Sequence, residues 1–571
     1  MRRHLKIDLG RREVESVELH GEQALEAGRY LIAKMLLAGN IAAVDPLSAD
    51  NPLIFSAGPL AGTNFSNANR LSVGCKSPLT DGIKEANAGG TFALALGQSS
   101  LAGFTLSGMA DDWVVVRIRK DQSVSFDPAA PWLGLGNFEA ARRLHEVYGE
   151  NVSIALCGPV GEYQGLLAGI AVSDREGRPS RFAARGGVGA VMGSKRVKAV
   201  VVDLNRMPAL HDRKKFFGDV RDYAARLAEQ DSVKSLRELG TAGIAEFLNY
   251  VGAMPVHNFS VGSLPGPLTV GGEFIRRQNQ ARGGETAHAC MPGCFIQCSN
   301  VYVDAAGKEL VSPLEYETLG LLGSNCGVLD PDAIARLNAV ANDLGVDTIE
   351  LGATLGILME AGIARFGDIE YIDQALEELR QGSERGRFLA QGAARVGACH
   401  AIRRVPVIKK QAISAYDPRV AEVTGVSMMT TAQGADHTAG NVPMVDCHSL
   451  TVPELVAASF KSQLSAAIAD SLGLCNFGRA VTDTHLDLIA SAINACQGTG
   501  IDASFLQAIG RETLRLESAF NRAAGFSQDD DQLPAFFYDE PLPPSNQVSR
   551  LLAGAVGECM RELSAADINP H

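Results

Sequence analysis

The 571-residue sequence is short of basic charge and of aromatic residues, and it has no long apolar run. Its formal net charge is −13, whereas a protein that binds nucleic acid needs a basic stripe against the phosphate backbone. We find no run of about 18 apolar residues that would span a membrane and no signal-peptide pattern after the first residues. Internal repeats are not evident either. The sequence therefore predicts a cytoplasmic protein that binds no nucleic acid and has no membrane span.

The pattern of apolar and polar residues changes after the first third of the chain. Up to about residue 205, short apolar runs such as LIFSAGPLAGT and VKAVVVDL alternate with Gly, Pro and Asn, which is typical of strands and turns. From about residue 210, stretches such as KKFFGDVRDYAARLAEQ and DAIARLNAVANDL carry helical spacing. We expect an α+β fold, with a β-rich N-terminal domain over residues 1–205 and two mainly helical domains over residues 206–405 and 406–571.

Cysteine supplies the most informative pattern. Cys290, Cys294 and Cys298 lie in HACMPGCFIQCSN, and Cys475 lies in IADSLGLCNFG. Three neighbouring thiolates and one remote thiolate match the four sulfur ligands of a [4Fe–4S] cluster. The Met-Pro-Gly after Cys290 interrupts any helix, which favours a loop around an inorganic core. A zinc site and ordinary buried core cysteines remain as alternatives at this point.

Two Gly-rich segments in the β-rich part are candidate anion sites. KEANAGGTF contains a Gly-Gly pair. RFAARGGVGAVMG contains a second Gly-Gly pair, which follows two arginines and precedes an apolar run. Exposed backbone N–H groups beside Arg form a concavity that binds anions. A tight turn between a strand and a helix is the alternative reading for the second segment.

Seven segments, taken in order, resemble one family. They are LIFSAGPLAGT, KSPLTDG with the following ANAGG, RGGVGAVMGSKRVKA, SPLEYETLGLLGSNCGV, NDLGVDT, GADHTAG and DSLGLC. The ordered set spans residues 50 to 480 and resembles the tungsten-containing aldehyde:ferredoxin oxidoreductase family. The resemblance implies tungsten, or molybdenum, held by two pterins, with one [4Fe–4S] cluster close by and a Mg²⁺ ion that bridges the pterin phosphates. It also implies that the β-rich domain forms the base on which the pterins lie.

The resemblance assigns cofactor-binding residues in two sets. The phosphate region would contain Arg70, Asn87, Ala88, Gly89, Arg181, Arg185, Gly186 and Gly187. Paired D-x-x-G-L-(D/C) motifs, one for each pterin, match residues 342–347 and 470–475, which gives Asn342, Asp347, the adjacent Thr348, Asp470 and Leu474. Asn342 departs from the usual Asp but still offers hydrogen bonds to a pterin edge. The cysteine spacing also departs, with C-x3-C where C-x2-C is usual, and all four cysteines are kept as cluster ligands.

The same resemblance nominates catalytic residues. Aldehyde oxidation needs a base and a donor that polarises the carbonyl oxygen. By motif match, Glu317 is the base, Glu315 is the reserve, and His437 is the donor or proton relay. A helix-capping Glu and an ordinary core or surface His are the structural alternatives.

The function implied is the oxidation of a small aldehyde to a carboxylic acid. No nicotinamide fingerprint is visible, so electrons are expected to pass through the cluster to ferredoxin or to a separate iron–sulfur subunit. A homodimer is possible. Two alternatives stand beside this function: the catalytic subunit of a low-potential aromatic acyl-CoA reductase of the same superfamily, and a non-enzymatic iron–sulfur electron carrier or redox sensor.

Overall fold

The computed structural model describes residues 1–568. The strands in this range are β1 (Arg2–Asp8), β2 (Glu13–Leu19), β3 (Leu53–Ala57), β4 (Leu71–Lys76), β5 (Ile83–Ala88), β6 (Leu101–Ser107), β7 (Val114–Ile118), β8 (Val124–Pro128), β9 (Val152–Cys157), β10 (Ile170–Val172), β11 (Arg181–Ala183), β12 (Val197–Asp203), β13 (Glu285–His288), β14 (Ser299–Val303), β15 (Glu309–Val311), β16 (Val407–Ile408) and β17 (Gln411–Ala412).

The helices in the same range are α1 (Gly28–Ala38), α2 (Phe92–Gln98), α3 (Asn137–Tyr148), α4 (Pro159–Glu162), α5 (Val188–Ser194), α6 (Arg213–Glu229), α7 (Asp231–Leu239), α8 (Ile244–Val251), α9 (Gly272–Ala281), α10 (Tyr316–Thr318), α11 (Pro331–Leu344), α12 (Thr348–Glu360), α13 (Ile369–Gln381), α14 (Glu384–Leu389), α15 (Ala393–His400), α16 (Glu422–Thr430), α17 (Val452–Leu472), α18 (Arg479–Thr482), α19 (Leu486–Gln497), α20 (Ala503–Ala523), α21 (Phe536–Asp539) and α22 (Ala553–Ile568).

Two six-stranded sheets with the same topology form the N-terminal region. The first sheet has the order β2-β1-β6-β3-β4-β5, and the second has the order β8-β7-β12-β9-β10-β11. In both sheets the first strand runs parallel to the sixth, while every other neighbouring pair is antiparallel. A helix also follows the second and the fifth strand of each sheet. The region is thus a structural duplication that the sequence did not reveal.

The two sheets share one apolar core. Phe55 and Phe104 of the first sheet stack with their ring centroids 4.6 Å apart, and they belong to the same buried cluster as Val116 and Val200 of the second sheet. Both outer faces are covered as well. Ile32 of α1 lies so close to the first sheet that a Cβ at Gly74 would be 2.3 Å from its side chain. Strands buried on both faces explain the continuous apolar runs in this part of the sequence.

The rest of the described chain is mainly helical. Its largest core contains residues from both of the predicted helical domains, so it spans the predicted boundary at residue 405. A second core combines α6 and α19 with the cysteine segment 289–298. Two small sheets, β13-β14-β15 and β16-β17, interrupt the helices, and the first of them flanks that segment. The predicted α+β class, β-rich first and helical afterwards, is confirmed, while the domain limits remain predictions. Within residues 1–568 no helix is both long and apolar enough to cross a membrane.

Candidate functional site

The structure brings together the four predicted cluster ligands Cys290, Cys294, Cys298 and Cys475. The first three lie on the connection between β13 and β14, where Gly293 has φ +79° and allows the chain to turn. Cys475 follows the end of α17, and its N–H donates to the carbonyl oxygen of Asn67 at 2.9 Å. Ser66 accepts from the N–H of Phe295 at 2.9 Å. The loop before β4 therefore holds both cysteine segments in place.

The electrostatics of the cysteines fit an iron–sulfur cluster. A hydrogen bond from Cys294 and the nearby positive charges of Arg181 and Arg70 lower the pKa of Cys290 to about 6. Burial raises the pKa of Cys475, and burial together with the neighbouring thiolates raises the pKa of Cys298. Four such thiols ionise together only when a positive group compensates their charge, and cluster iron supplies it.

The sulfurs are not arranged for a single ion. Within residues 1–568 no group of three or more Cys, His, Asp or Glu side chains is spaced to hold one metal ion. A [4Fe–4S] cluster binds each of its thiolates on a separate iron, so it does not require that spacing. All eleven cysteines in the described range are free thiols. The [4Fe–4S] cluster and the zinc alternative both remain predictions from the sequence.

The two six-stranded sheets are called the duplicated base below. The first of them places a polar group beside the cysteines. Arg70 donates through Nε to Asn87 Oδ1 at 2.7 Å, and Asn87 Nδ2 lies 3.4 Å from Asp470 Oδ1. Next to Asn87, Ala88 ends β5, and a Cβ at Gly89 would be 3.1 Å from the sulfur of Cys290. The absence of a side chain at this glycine leaves the space between the strand end and the cysteines open.

Arg181 has donor atoms that no group in the described part of the chain accepts. Its Nη1 donates to Ser299 Oγ at 2.9 Å, while its buried Nε and Nη2 have no hydrogen-bond partner within residues 1–568. A buried guanidinium with unused N–H groups is costly unless an acceptor binds there. This arrangement fits an anionic group such as a pterin phosphate.

The two D-x-x-G-L-(D/C) segments occupy equivalent places in the duplicated base. Gly345 and Gly473 follow the ends of α11 and α17 with φ of +75° and +67°. Each motif packs against the glycine that follows the third strand of one sheet. A Cβ at Gly58 would be 1.9 Å from Leu472 O, and a Cβ at Gly158 would be 2.4 Å from Leu344 O. Each half of the base thus presents one motif.

The first motif anchors α12. Asp347 caps this helix by accepting from the N–H of Ile349 at 2.9 Å, and its other oxygen accepts from Arg185 Nε at 3.2 Å. Thr348 Oγ1 pairs with Thr318 Oγ1 at 2.9 Å. Asn342, the departure from the family pattern, is buried, and its backbone carbonyl accepts from Asn137 Nδ2 at 2.8 Å. Its side chain is therefore not needed to hold the motif.

The second motif and the second Gly-Gly pair are tightly packed. Leu474 is buried and donates its N–H to a carbonyl of α17 at 2.8 Å. Gly186 and Gly187 both have positive φ, and a Cβ at Gly186 would be 2.5 Å from the side chain of Lys84. Lys84 is fully buried and forms an ion pair with Asp436. The turn therefore allows β5 and the loop that carries His437 to approach each other.

Glu317 and His437 lie next to each other. Glu317 Oε1 is 3.3 Å from His437 Nε2 and has no well-formed hydrogen bond within residues 1–568, while Oε2 accepts from the N–H of Ala415 at 3.0 Å. The nearby Tyr416 hydroxyl also interacts with this carboxylate. His437 Nδ1 is 2.9 Å from Ser414 Oγ, and the His437 ring lies 5.7 Å from the Tyr416 ring. The pair is half-buried among aromatic rings. A carboxylate with one free oxygen beside an imidazole is suited to proton transfer.

Glu315 lies toward the cysteines. Burial raises its pKa, and the positive charges of Arg181 and Arg70 oppose that rise. The charge of Glu315 acts on Cys290, and the charges of Glu317 and His437 act on Glu315. Glu315 is therefore within electrostatic range of both the cysteine group and the Glu317–His437 pair.

Sequence reasoning missed several buried ionic residues. Arg29 donates to both oxygens of Glu517 at 2.6 and 2.7 Å and lies 3.6 Å from Asp470. Lys84 and Asp436 were missed as well. The partners are hundreds of residues apart, so no local spacing signals them. Asp436 alone had a signal, because it directly precedes His437 in the motif GADH.

A surface cavity of about 480 Å³ lies apart from this site. It is lined by residues of α6, α19 and α20, including Lys215, Asp487 and Asn494, and by none of the predicted site residues. We therefore assign the chemistry to the buried group and not to this cavity.

The chain matches a known family along nearly its whole length. The family described as "Aldehyde ferredoxin oxidoreductase, N-terminal domain" matches residues 4–204, and "Aldehyde ferredoxin oxidoreductase, domains 2 & 3" matches residues 220–562. The tungsten-containing aldehyde ferredoxin oxidoreductase of Pyrococcus furiosus is 32% identical, with 95% of this chain and 92% of the relative covered. The corresponding protein of Thermococcus kodakarensis is 30% identical with the same coverage.

More distant likenesses extend the comparison. The aliphatic sulfonate oxidoreductase, WOR-like subunit, of Pyrococcus furiosus is 26% identical over 94% of this chain and 89% of its own. A solved structure of the active site complex BamBC of benzoyl coenzyme A reductase with 1,5-dienoyl-CoA superposes with a TM-score of 0.82, covering 99% of this chain and 94% of that chain. At 20% identity, this likeness shows the fold alone.

The duplicated base, the cysteine group and these matches define an oxidoreductase. The chain belongs to the aldehyde ferredoxin oxidoreductase family, as the sequence resemblance predicted. The tungsten-containing members of that family imply a tungsten pterin cofactor. The non-enzymatic carrier considered as an alternative is thereby excluded.

Proposed function

We propose that the protein oxidises aldehydes to carboxylic acids at a tungsten (or molybdenum) bis-pterin and passes the electrons through one [4Fe–4S] cluster to ferredoxin or to a separate iron–sulfur subunit. The observation that carries this proposal is the Glu317–His437 pair, whose atoms lie 3.3 Å apart, in the same charged group as Glu315, Arg181 and the cysteines.

The chain's own residues supply the binding groups. The four cysteines would hold the cluster, which would release electrons one at a time. Arg181, through its unused Nε and Nη2, would hold a pterin phosphate. Arg70 would turn from Asn87 to a second phosphate, which would leave Asn87 Oδ1 free to contact the bridging Mg²⁺. The motifs ending at Asp347 and Cys475 would each contact one pterin.

The chemical step needs a proton acceptor and a polarising donor. When bound, the tungsten pterin takes up the two electrons that leave the aldehyde carbon. The Ala415 N–H fixes one oxygen of Glu317, so the free Oε1 is directed to accept the proton released as water adds to the carbonyl. His437 Nε2 donates to the carbonyl oxygen and stabilises the negative charge that develops there. The hydrogen of the aldehyde C–H bond is lost to solvent as the second proton when its electron pair leaves the carbon, and the third hydrogen stays on the carboxylic acid product.

The test is metal analysis combined with turnover on the purified protein. We expect about one tungsten or molybdenum and about four irons per chain, and reduction of a viologen dye by a panel of aliphatic and aromatic aldehydes. Protein with this metal content that fails on every aldehyde but reduces an aromatic acyl-CoA with a low-potential donor would replace aldehyde oxidation with the acyl-CoA reductase function. Iron without tungsten or molybdenum would refute the pterin site.

A further inference from the structure

The backbone segment 412–415 contacts both proposed catalytic side chains. The N–H of Ala415 donates to Glu317 Oε2 at 3.0 Å, and Ser414 Oγ lies 2.9 Å from His437 Nδ1. What fixes this segment therefore also fixes the geometry of the pair. Ser414 is fully buried, so water does not compete for its hydroxyl group.

Arg185 fixes the segment. Its Nη1 donates to Ser414 Oγ at 3.1 Å and to Ala435 O at 2.6 Å, and its Nη2 donates to Ala412 O at 2.5 Å. Its Nε donates to Asp347. Four of the five N–H groups of this guanidinium thus bind protein atoms, and the remaining one faces Glu350 at 3.9 Å. Arg185 therefore differs from Arg181, which has unused donors.

The bond from Arg185 determines how Ser414 pairs with His437. A guanidinium donates and never accepts, so it occupies a lone pair of Ser414 Oγ. Among residues 1–568 the Ser414 hydroxyl has no further hydrogen-bond partner, so donation of its hydrogen to His437 Nδ1 is the arrangement that uses it. A neutral imidazole whose Nδ1 accepts carries its hydrogen on Nε2. Nε2 is the atom that faces Glu317 Oε1 at 3.3 Å.

The competing partner for Nδ1 is weaker. Asp436 Oδ1 lies 3.9 Å from His437 Nδ1, beyond hydrogen-bond distance, and already accepts from the N–H and the hydroxyl of Thr438 at 3.0 and 2.8 Å. The other Asp436 oxygen pairs with Lys84. Without the Ser414 hydroxyl, Asp436 Oδ1 would be the nearest acceptor for a hydrogen on Nδ1 and would compete for the ring hydrogen with Glu317 Oε1, which lies 3.3 Å from Nε2.

We propose that Ser414, oriented by Arg185, is a positioning residue that keeps the hydrogen of His437 on Nε2, where it can polarise the substrate carbonyl. The inference rests on the proposed function, because it presumes that His437 acts as a donor. It assigns Arg185 to the catalytic pair and not to the pterin phosphates. It also predicts that Ser414 affects the chemical step and not the binding of substrate or cofactor.

The test is a double-mutant cycle on the metal-loaded enzyme, with Ser414→Ala measured alone and in a His437→Asn background. Alone, Ser414→Ala is expected to lower kcat about 10- to 100-fold, the usual cost of losing a group that orients a catalytic ligand, with KM and the tungsten and iron contents unchanged. In the His437→Asn background the same change should cost less than about 2-fold, because groups that act through one another are not additive. Ser194→Ala, which removes a buried hydroxyl bonded only to Val191 O, is the matched control.

A second readout does not depend on turnover. In protein labelled with ring-¹⁵N histidine, the resonances that disappear in His437→Asn belong to His437. We expect Nδ1 at the shift of an unprotonated ring nitrogen in the native protein and a protonated Nδ1 in Ser414→Ala. Equal losses of kcat in both backgrounds, or a protonated Nδ1 in the native protein, would overturn the inference and leave the proposed function standing. Full activity of His437→Asn would overturn both.

Discussion

Glu317→Gln is the substitution that tests the chemical step most directly. In the native protein, Oε2 accepts from the N–H of Ala415 at 3.0 Å, and Oε1 is free and 3.3 Å from His437 Nε2. Glutamine has the same size and keeps one carbonyl oxygen for the Ala415 N–H. The other position becomes an amide NH₂, which cannot accept a proton. The variant therefore removes the base and leaves the packing intact.

The expected loss follows from general-base catalysis. Removing a positioned base lowers the rate by about 10²- to 10⁴-fold, which corresponds to about 2.7 to 5.4 kcal/mol of transition-state stabilisation. The loss should appear in kcat, because Glu317 accepts a proton only during the reaction. The assay is steady-state aldehyde oxidation with a viologen acceptor, with tungsten and iron measured on the same samples. Glu309→Gln, on the partly exposed strand β15, is the matched control.

Two outcomes would contradict the assignment. Near-full activity in Glu317→Gln with an inactive Glu315→Gln would transfer the base to Glu315, on the side nearer the cysteines. If both variants oxidise aldehydes at the native rate with normal metal content, no carboxylate of this segment acts as the base.

Three further predictions concern the cysteine ligands, the packing of the duplicated N-terminal sheet region and a buried carboxyl group. Cys475→Ala should lose the [4Fe–4S] EPR signal and most of its iron, whereas Cys75→Ala, in the first sheet, should keep both; unchanged iron in Cys475→Ala would remove it from the ligand set. Gly58→Ala places a Cβ 1.9 Å from a carbonyl oxygen at the end of α17, so it should speed thermal inactivation and lower the iron content. The control is Gly554→Ala, whose Cβ meets nothing within 4 Å and which should change neither. Burial raises the pKa of Glu350 from 4.5 to about 7. This carboxyl therefore stabilises the fold at low pH and loses that contribution as the pH rises through 7, so urea unfolding of Glu350→Gln should depend less on pH between 4.5 and 7.

Local patterns predicted the elements of the fold. The runs LIFSA and VKAVVVD form β3 and β12, and the predicted helices near residues 214–230 and 332–344 are α6 and α11. Apolar periodicity is a property of neighbouring residues, so one sequence is enough to detect it. The small sheet β13-β14-β15 was not predicted inside a region expected to be helical. Its strands have three to five residues, too few for a clear alternation.

The Pro-rich segment near residue 540 is anchored in the core by two of its aromatic residues. Phe536 and Phe537 are fully buried, and the guanidinium of Arg419 lies 5.7 and 5.0 Å from their ring centroids. Arg419 lies more than a hundred residues earlier in the chain. Composition marks a segment as irregular, but it does not show which of its side chains find a distant partner.

The site shows the same division between local and distant information. Short motifs predicted the cysteines, Glu317 and His437, because each motif keeps its residues at fixed spacing. Ser414 carries no such signal, since a serine in a short β-rich segment is common, and its role depends on Arg185, which is 229 residues away. Hydrogen bonds between such distant residues become visible only in the folded chain.

The duplicated base also accounts for a single proposed cluster on a symmetric scaffold. Each half presents a helix end, a left-handed glycine and a sixth motif residue. In one half that residue is Asp347, which caps α12 and binds Arg185. In the other half it is Cys475, whose N–H is held by Asn67 and whose sulfur faces the segment 290–298. Asp347 supplies no thiolate to its half, so a cluster held by Cys475 would lie beside only one of the two pterins that the family resemblance implies.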